Sequence, residues 1–274
     1  MTLKQKVIFI VIDGLNASVA RETLGFVTAM VEKYRGKFLT IDCELPSLSR
    51  PLYECLLTGS LPVDSGIYNN DITALSTQQS LFHYVAQSGG TTAAAAYHWV
   101  SELYNRSPYI APRDRHTHDE TLPIQHGIFY HRDHYPDCHL FLDAGYLIKT
   151  WQPDFTLIHS MNVDDAGHRA GVDSPHYRNS ARNVDDILSN WLTQWLDEGY
   201  QVVITSDHGM NSDCSHRGTL ACEREVPVIL LGHAFNDEPY NSGRLRQREL
   251  CGTLLTLLGI PHDKPHCPEL LKGW

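Results

Sequence analysis

Three apolar stretches of this sequence each end near a carboxylate, and imidazoles follow two of them. Short runs of aliphatic and β-branched residues predict buried strands of a parallel sheet. The carboxyl ends of such strands form the edge at which open α/β sheets bind ligands. Carboxylate and imidazole both bind zinc, and carboxylates also accept manganese. The sequence therefore predicts a divalent-metal site, with candidate ligands Asp13, Asp164, His168, Asp207, His208 and His216.

The positions of these ligands along the chain suggest how they meet. Asp13 ends the first apolar run, and Asp207 and His208 end another. Asp164 and His168 follow a third run, and we expect them to converge from one loop. Together with a further histidine between the last two strands, this set is large enough for two cations.

A hydroxyl nucleophile is the next requirement, and the sequence offers Ser47 and Ser49 between two prolines. A hydroxyl is a weak nucleophile at neutral pH unless it is deprotonated, which coordination to a divalent cation achieves. Pro51 suits the first turn of a helix, whose free amides favour an anion. The residues alone leave a second reading open, in which both serines only cap that helix.

The order of the motifs resembles the alkaline phosphatase superfamily, most closely its type I phosphodiesterase/nucleotide pyrophosphatase-like family. The motifs are Ile-Asp-Gly at 12–14, Asp-Asp-Ala-Gly-His at 164–168, Ser-Asp-His-Gly-Met at 206–210, Glu-Val-Pro-Val-Ile-Leu at 225–230 and a closing helix near 253–261. The resemblance implies an α/β fold, in which a mostly parallel sheet is sandwiched by helices and carries a small cap or specificity insertion.

The resemblance also assigns roles to residues. The family pattern has a proline three positions before the nucleophile and another two positions after it, which selects Ser49 over Ser47. One cation is expected to be held by Asp164, His168 and His216, and the other by Asp13, Asp207, His208 and the Ser49 hydroxyl. Zinc is the first expectation for both cations, and manganese is the alternative.

Two further residues are candidate substrate ligands. Asn70 lies where the family places an asparagine that donates to a phosphate oxygen, and Asn69 is an adjacent rival. Arg50, beside the nucleophile, could bind a second phosphate charge and so favour monoesters, because a guanidinium pairs well with phosphate oxygens. A solvated arginine at a helix start is an equally good reading.

The function expected from these residues is a two-metal-dependent hydrolase of phosphoryl esters, of the phosphodiesterase or nucleotide pyrophosphatase type, acting through a phosphoseryl intermediate. A phosphomonoesterase and a phosphonate hydrolase are alternatives within the superfamily. The Cys/Ser-x-Pro-x-Arg motif of sulfatases is absent around Ser49. A homologue that binds metal or ligand without turnover is the alternative from a different class.

Bulk properties indicate a small-molecule enzyme in a single domain, residues 1–274. The formal net charge of −10 argues against binding of a nucleic-acid polymer. The first apolar run is too short for a signal peptide or a membrane span, and the seven cysteines lack CxxC spacing. We therefore expect a cytoplasmic protein without membrane association; the sequence leaves a homodimer open.

The remaining pattern alternates strands and helices, as in parallel βαβ units. Helices are predicted at 17–34, 80–87 and 174–197, and strands at 38–41 and 91–97. Residues 99–139 lack periodicity and carry many histidines and arginines. This segment is the candidate cap that shapes the substrate site, and a polar surface excursion is its alternative.

Overall fold

The computed structural model describes residues 3–241 and 243–273 of the chain. Its strands are β1 (Lys6–Ile12), β2 (Lys37–Asp42), β3 (Thr92–Tyr97), β4 (His116–His118), β5 (His126–Tyr130), β6 (Phe155–Ser160), β7 (Tyr200–Thr205) and β8 (Glu225–Leu231). Its α-helices are α1 (Ala17–Thr23), α2 (Gly25–Tyr34), α3 (Ser49–Thr58), α4 (Pro62–Ser65), α5 (Leu81–Gln87), α6 (His98–Tyr104), α7 (Ala111–Asp114), α8 (Asp137–Trp151), α9 (Asn162–Ala170), α10 (Pro175–Ser189), α11 (Leu192–Asp197), α12 (Ala221–Arg224) and α13 (Glu249–Leu258). A 3₁₀ turn at Pro268–Leu270 follows α13.

All eight strands form one sheet, in the order β2-β8-β7-β1-β6-β3-β5-β4. At its centre, β1 pairs in parallel with both β6 and β7, and β3 pairs in parallel with β5 and β6. The pairings of β8 with β2 and β7, and of β4 with β5, are antiparallel. The predicted mostly parallel α/β sheet is confirmed.

The alternation of side chains along β1 divides the core into two layers. Val7, Phe9 and Val11 belong to one buried cluster, with apolar residues of α3, α5 and α13. The intervening isoleucines of β1 belong to the other cluster, with residues of α1, α2, α8, α10 and α11. Since both faces of the sheet are covered by helices, its central strands are buried at every position except Lys6 of β1, as expected for a parallel sheet.

Two of the predicted helices are each divided in the structure, so these predictions were wrong. Residues 17–34 form α1 and α2 with a break at Leu24, which is fully buried. The first amides of α2, those of Phe26 and Val27, donate to the Asp185 carboxylate of α10 at 2.8 and 2.9 Å. This cap satisfies amides that a helix start leaves unpaired, and it comes from a residue 159 positions away.

The second division separates α10 from α11 at residues 190 and 191. The predicted helix at 80–87 and strands at 38–41 and 91–97 are confirmed as α5, β2 and β3, within one residue at each end. Within the described part of the chain, no helix has the length and apolar character that a membrane crossing requires. All seven cysteines are free thiols.

Candidate active site

The candidate metal ligands converge because three adjacent strands point their carboxyl ends to the same edge. Asp13 directly follows β1, the middle strand of the three. Asp207 and His208 follow its neighbour β7, while Asp164 lies on α9, directly after the other neighbour β6. Strand order therefore assembles residues that lie up to 195 positions apart in sequence.

One group of ligand atoms comes from Asp13, Asp207 and His208, and these atoms lie within 4.8 Å of one another. His208 Nε2 is 3.4 Å from Asp13 Oδ1 and 3.2 Å from Asp207 Oδ2. All three side chains are fully buried. This is the trio that the sequence analysis assigned to one cation.

A second group of ligand atoms comes from Asp164, His208 and His216, again within 4.8 Å. His216 Nε2 is 4.0 Å from Asp164 Oδ1. His208 thus belongs to both groups, which the sequence analysis did not anticipate, and its ring stacks on that of His216 with centroids 3.5 Å apart.

His168 lies at the rim of this second group. Its Nε2 is 3.3 Å from Asp164 Oδ2, and its side chain is 42% exposed. Residues 162–170 form a helix, α9, so the prediction that Asp164 and His168 come from one loop was wrong. The two side chains meet because they are four residues apart on that helix and share one face. The assignment of His168 to a cation stays a prediction.

The carboxylates and imidazoles of the site have shifted pKa values. Burial, reinforced by the charges of Asp207 and Asp164, raises the pKa of Asp13 well above its usual range. Burial and the charge of Asp164 raise the pKa of Asp207 to about 7. Burial lowers the pKa of His208, and burial together with His208 lowers the pKa of His216 to about 4. Carboxylates crowded in this way require nearby positive charge if all are to be ionised.

Three buried carboxylate oxygens also have no hydrogen-bond partner among the described residues. They are Asp13 Oδ1, Asp164 Oδ1 and Asp207 Oδ2, one from each acidic residue of the site. Leaving a buried charged acceptor unpaired is costly, and coordination of a cation removes that cost. The donor set of carboxylates and neutral imidazoles therefore fits divalent cations such as zinc.

Gly14 is needed where the loop after β1 approaches Asp164 of α9. Its φ is +71°, a conformation that favours glycine, and a Cβ placed on it would lie 2.9 Å from atoms of Asp164. Its amide donates to Asp207 Oδ1 at 3.2 Å. The Asp13-Gly14 sequence therefore supplies one ligand and the space for two others.

Ser49 and Ser47 face different surroundings. Ser49 is the first residue of α3, and its Oγ lies 3.0 Å from His208 Nε2, the nitrogen shared by both ligand groups. Ser47 Oγ is 3.4 Å from the Glu223 carbonyl oxygen, away from the carboxylates. The Ser47 carbonyl is paired instead with His216 Nδ1 at 2.8 Å. Of these two serines, Ser49 is the one whose hydroxyl lies beside an imidazole of the candidate metal centre.

Asn70 and Asn69 differ in the hydrogen bonds that their side chains accept. Asn70 Oδ1 accepts a 3.0 Å hydrogen bond from the amide of Arg50, in the first turn of α3. That bond fixes the side chain next to Ser49 and leaves the Asn70 amide nitrogen as the available donor. Asn69 closes a local turn by accepting from the amide of Asp71 at 2.9 Å. The contact of Asn70 with a phosphate oxygen stays a prediction.

Arg50 is buried, and its guanidinium contacts other residues of the protein. Its side chain is 2% exposed, and its guanidinium forms a 2.8 Å ion pair with Glu102. It also donates to the Ile72 carbonyl at 2.6 Å and lies 4.5 Å from the centroid of the Trp99 ring. These contacts lie in the protein interior. Arg50 is therefore not the solvated arginine at a helix start that the sequence left open.

The histidine-rich segment 99–139 has two parts. Its beginning, α6, borders α3 and supplies the Trp99 and Glu102 partners of Arg50. Further along, it contributes β5 and β4, the last two strands at one edge of the sheet. There His118 and His126 pair through their Nδ1 atoms at 2.9 Å, and both rings stack on Trp151. A role for this segment as a cap over the substrate stays a prediction.

Sequence reasoning missed two residues that contact the site, Tyr53 and His159. The Tyr53 hydroxyl donates to Asp13 Oδ2, and His159 Nε2 lies 3.2 Å from the same oxygen. Both side chains are buried, and burial lowers the pKa of His159 to about 3, so its imidazole is neutral. The available signals were a histidine within an apolar strand and a tyrosine one helical turn after Ser49.

The eight-stranded sheet covered by helices has the alkaline phosphatase-like architecture, and the family that the chain matches acts on phosphoesters. The sequence pattern of the type I phosphodiesterase / nucleotide pyrophosphatase family matches residues 7–224. The chain belongs to this family, and the resemblance inferred from its motifs is confirmed.

Individual relatives are more distant. GPI ethanolamine phosphate transferase 2, catalytic subunit, from Homo sapiens is 23% identical over 285 residues, which cover 98% of this chain and 28% of that protein. The chain thus spans less than a third of the length of that relative. Murine ectonucleotide pyrophosphatase / phosphodiesterase 5 has a TM-score of 0.75 at 14% identity, covering 98% of this chain and 100% of that one. A phosphonate monoester hydrolase from Silicibacter pomeroyi has a TM-score of 0.67 at 12% identity, covering 99% and 78%.

Proposed function

We propose that this protein is a metal-dependent hydrolase of small-molecule phosphoryl esters, of the phosphodiesterase type, with Ser49 as its nucleophile. The observation that carries the proposal is the position of Ser49 Oγ, 3.0 Å from His208 Nε2. Around that nitrogen lie carboxylate oxygens from Asp13 and Asp207 at 3.4 and 3.2 Å. A hydroxyl beside an imidazole that borders unpaired metal-ligating oxygens is an arrangement in which a bound cation can activate a serine without a separate base.

Two cations would be held at this site, in the grouping that the family resemblance implies, which assigns His208 to one cation only. Asp13, Asp207 and His208 would hold one, together with the Ser49 hydroxyl, and Asp164, His168 and His216 would hold the other. When bound, divalent cations supply a lowered pKa for a coordinated hydroxyl and positive charge for the phosphoryl oxygens. Zinc remains the first candidate, because imidazole and carboxylate are both good zinc ligands.

The residues of the chain then carry out two displacements. Ser49 Oγ forms a bond to phosphorus as the ester bond to the leaving alcohol breaks, which gives a phosphoseryl intermediate. A water oxygen then displaces Ser49 and restores the hydroxyl. Asn70, fixed by the Arg50 amide, is positioned to donate to a phosphoryl oxygen during both steps.

A diester is the proposed substrate rather than a monoester. A monoester carries a second negative charge, and a site selective for it would need an additional cation at the phosphoryl group. Arg50 is the nearest arginine in sequence, and its guanidinium is occupied by Glu102 and the Ile72 carbonyl. The neutral donor Asn70 matches a singly charged diester. A monoesterase and a phosphonate hydrolase are the competing outcomes of a substrate comparison.

Phosphoryl transfer is a second candidate function. It is favoured by a relative that matches 98% of this chain. That protein is named an ethanolamine phosphate transferase. Transfer and hydrolysis share the attack of Ser49 on a diester, and they differ in whether a substrate hydroxyl or water displaces the serine. Product analysis with an alcohol acceptor present separates them, because only a transferase converts most of the phosphoryl group into a new ester.

The test of the nucleophile compares Ser49→Ala with Ser47→Ala, a matched control two residues away. With zinc or manganese supplied, we expect Ser49→Ala to lower turnover of a bis-aryl phosphate by several orders of magnitude while two ions remain bound. Ser47→Ala should reduce turnover only mildly, and Ser49→Thr should keep measurable activity because it retains the hydroxyl. Equal losses in the two alanine variants would contradict the assignment. An inactive parent with two ions bound would favour the non-catalytic homologue.

A further inference from the structure

The two oxygens of Asp13 have different environments. Oδ2 accepts hydrogen bonds from the Tyr53 hydroxyl and from His159 Nε2, the latter at 3.2 Å. Oδ1 has no hydrogen-bond partner among the described residues and lies 3.4 Å from His208 Nε2. One oxygen is therefore held by the protein, and the other remains available as a ligand.

Tyr53 links this carboxylate to the nucleophile. It lies on α3 four residues after Ser49, so the two side chains share one face of the helix. The Tyr53 ring is 2% exposed and packs edge-on against the His159 imidazole, with centroids 4.5 Å apart. A shift of α3 that moves Ser49 would thus also move a hydrogen-bond partner of Asp13.

His159 approaches Asp13 from the neighbouring strand. It lies on β6 opposite Val11 of β1, two residues before Asp13, and is 1% exposed. The Tyr130 hydroxyl donates to the His159 carbonyl oxygen at 2.8 Å and lies 3.4 Å from Nδ1. The imidazole is thereby fixed in a position where its Nε2 reaches Asp13.

We propose that Tyr53 and His159 are positioning residues that occupy Asp13 Oδ2, so that Asp13 offers Oδ1 as a single ligand atom and keeps its place relative to Ser49. Partners that hold the second atom of a metal ligand fix its orientation and tune its basicity. This inference rests on the proposed metal-dependent function. It adds two residues that lie outside both groups of metal ligands.

The test is metal affinity, measured by zinc competition against a chromophoric chelator and by isothermal titration, without reference to turnover. We expect Tyr53→Phe to bind two zinc ions, one with parental affinity and one about 10- to 100-fold more weakly. His159→Leu should weaken the same ion, and His159→Gln, which keeps an N–H donor, should recover part of the loss.

Tyr104→Phe is the matched control. Tyr104 is also buried, and its hydroxyl donates at 2.7 Å to a buried carboxylate, that of Glu54, outside the candidate site. Removal of that hydroxyl should lower stability and leave both zinc affinities at parental values. If His159→Leu does not fold, Tyr53→Phe carries the test, because it removes a single oxygen atom.

Three results would overturn the inference. Parental affinity at both sites of Tyr53→Phe would show that Tyr53 does not position Asp13. Equal weakening of both sites, or the same weakening in Tyr104→Phe, would indicate a general loss of structure. A parent protein that binds fewer than two ions would overturn the proposed function and this inference together. The first two results would overturn this inference alone.

Discussion

The ion pair between Arg50 and Glu102 makes a prediction that distinguishes a structural arginine from a substrate ligand. Both side chains are almost fully buried, with exposures of 2% and 7%, and the charged atoms are 2.8 Å apart. We expect Glu102→Gln to destabilise the protein substantially, because it leaves the Arg50 charge buried without its counter-ion. The substitution preserves size, and its amide oxygen can still accept the hydrogen bond that Tyr109 N–H gives to Glu102 at 2.9 Å.

The expected magnitude follows from that burial. Removal of one member of a buried ion pair costs about 3–5 kcal/mol, whereas the net value of an exposed pair is about 0–1 kcal/mol. For a protein of this size each kcal/mol lowers Tm by about 2–4 °C. Glu102→Gln should therefore lower Tm by roughly 6–20 °C. The double variant Arg50→Met/Glu102→Met buries no charge and should be less destabilised than the sum of its two single variants.

The assay combines urea unfolding of five proteins with kinetics at a temperature where each is folded. The five are the parent, Glu102→Gln, Arg50→Met, Glu102→Met and the double variant. Since the Arg50 guanidinium pairs with Glu102 and the Ile72 carbonyl, the ratio of kcat/KM for bis-aryl and mono-aryl phosphates should change by less than about 3-fold in Arg50→Met. A loss of stability in Glu102→Gln below about 1 kcal/mol would refute the reasoning from burial. A selective collapse of monoester turnover in Arg50→Met would identify Arg50 as a substrate ligand and the protein as a monoesterase.

Three further predictions concern the metal, the phosphate and pH. Chelation should abolish activity, and Asp164→Asn should reduce bound zinc from two ions to about one by elemental analysis; two retained ions would contradict the ligand assignment. Asn70→Ala should lower kcat/KM for a diester by about 10- to 100-fold, while Asn69→Ala, its adjacent control, should have little effect, so equal losses would argue against Asn70. Burial raises the pKa of Asp137 to about 7, although Ser160 donates to it at 2.8 Å. The folded state then holds a proton that the unfolded state releases, so stability falls as pH rises from about 4 to 7, by at most about 4 kcal/mol. Asp137→Asn should be more stable than the parent at pH 8 and lose that advantage at pH 4 in urea unfolding; an advantage independent of pH would contradict this account.

Local sequence patterns determined much of the fold. The run before Asp13 is apolar at every position from Val7 to Ile12, and the run before Asp207 is apolar over 202–204. This is the pattern of strands covered on both faces, and the two runs became the central strands β1 and β7. The class of fold follows from such runs alternating with helical segments. Helix boundaries were less certain from sequence, because the start of α2 is stabilised by Asp185 from a distant helix.

The sequence also identified candidate metal ligands that the structure brings together, since carboxylates and imidazoles at strand ends meet wherever the strands are adjacent. Their grouping required the tertiary structure. His208 Nε2 lies between Asp13, Asp207 and Ser49, and the same imidazole belongs to the group of Asp164. Such distances depend on strand order, which has no signature in any single segment.

What only the tertiary structure decided are the contacts between residues distant in sequence. Arg50 follows Ser49 in the chain and looks available for phosphate, yet Glu102, 52 positions away, pairs with it in the interior. His159 looks like one polar residue in an apolar strand, yet it holds Asp13, 146 positions away. Sequence patterns report the environment that each residue prefers. The partner that provides this environment is chosen by the packing of the whole chain, because a buried polar group can be satisfied by any donor or acceptor that the fold brings within reach.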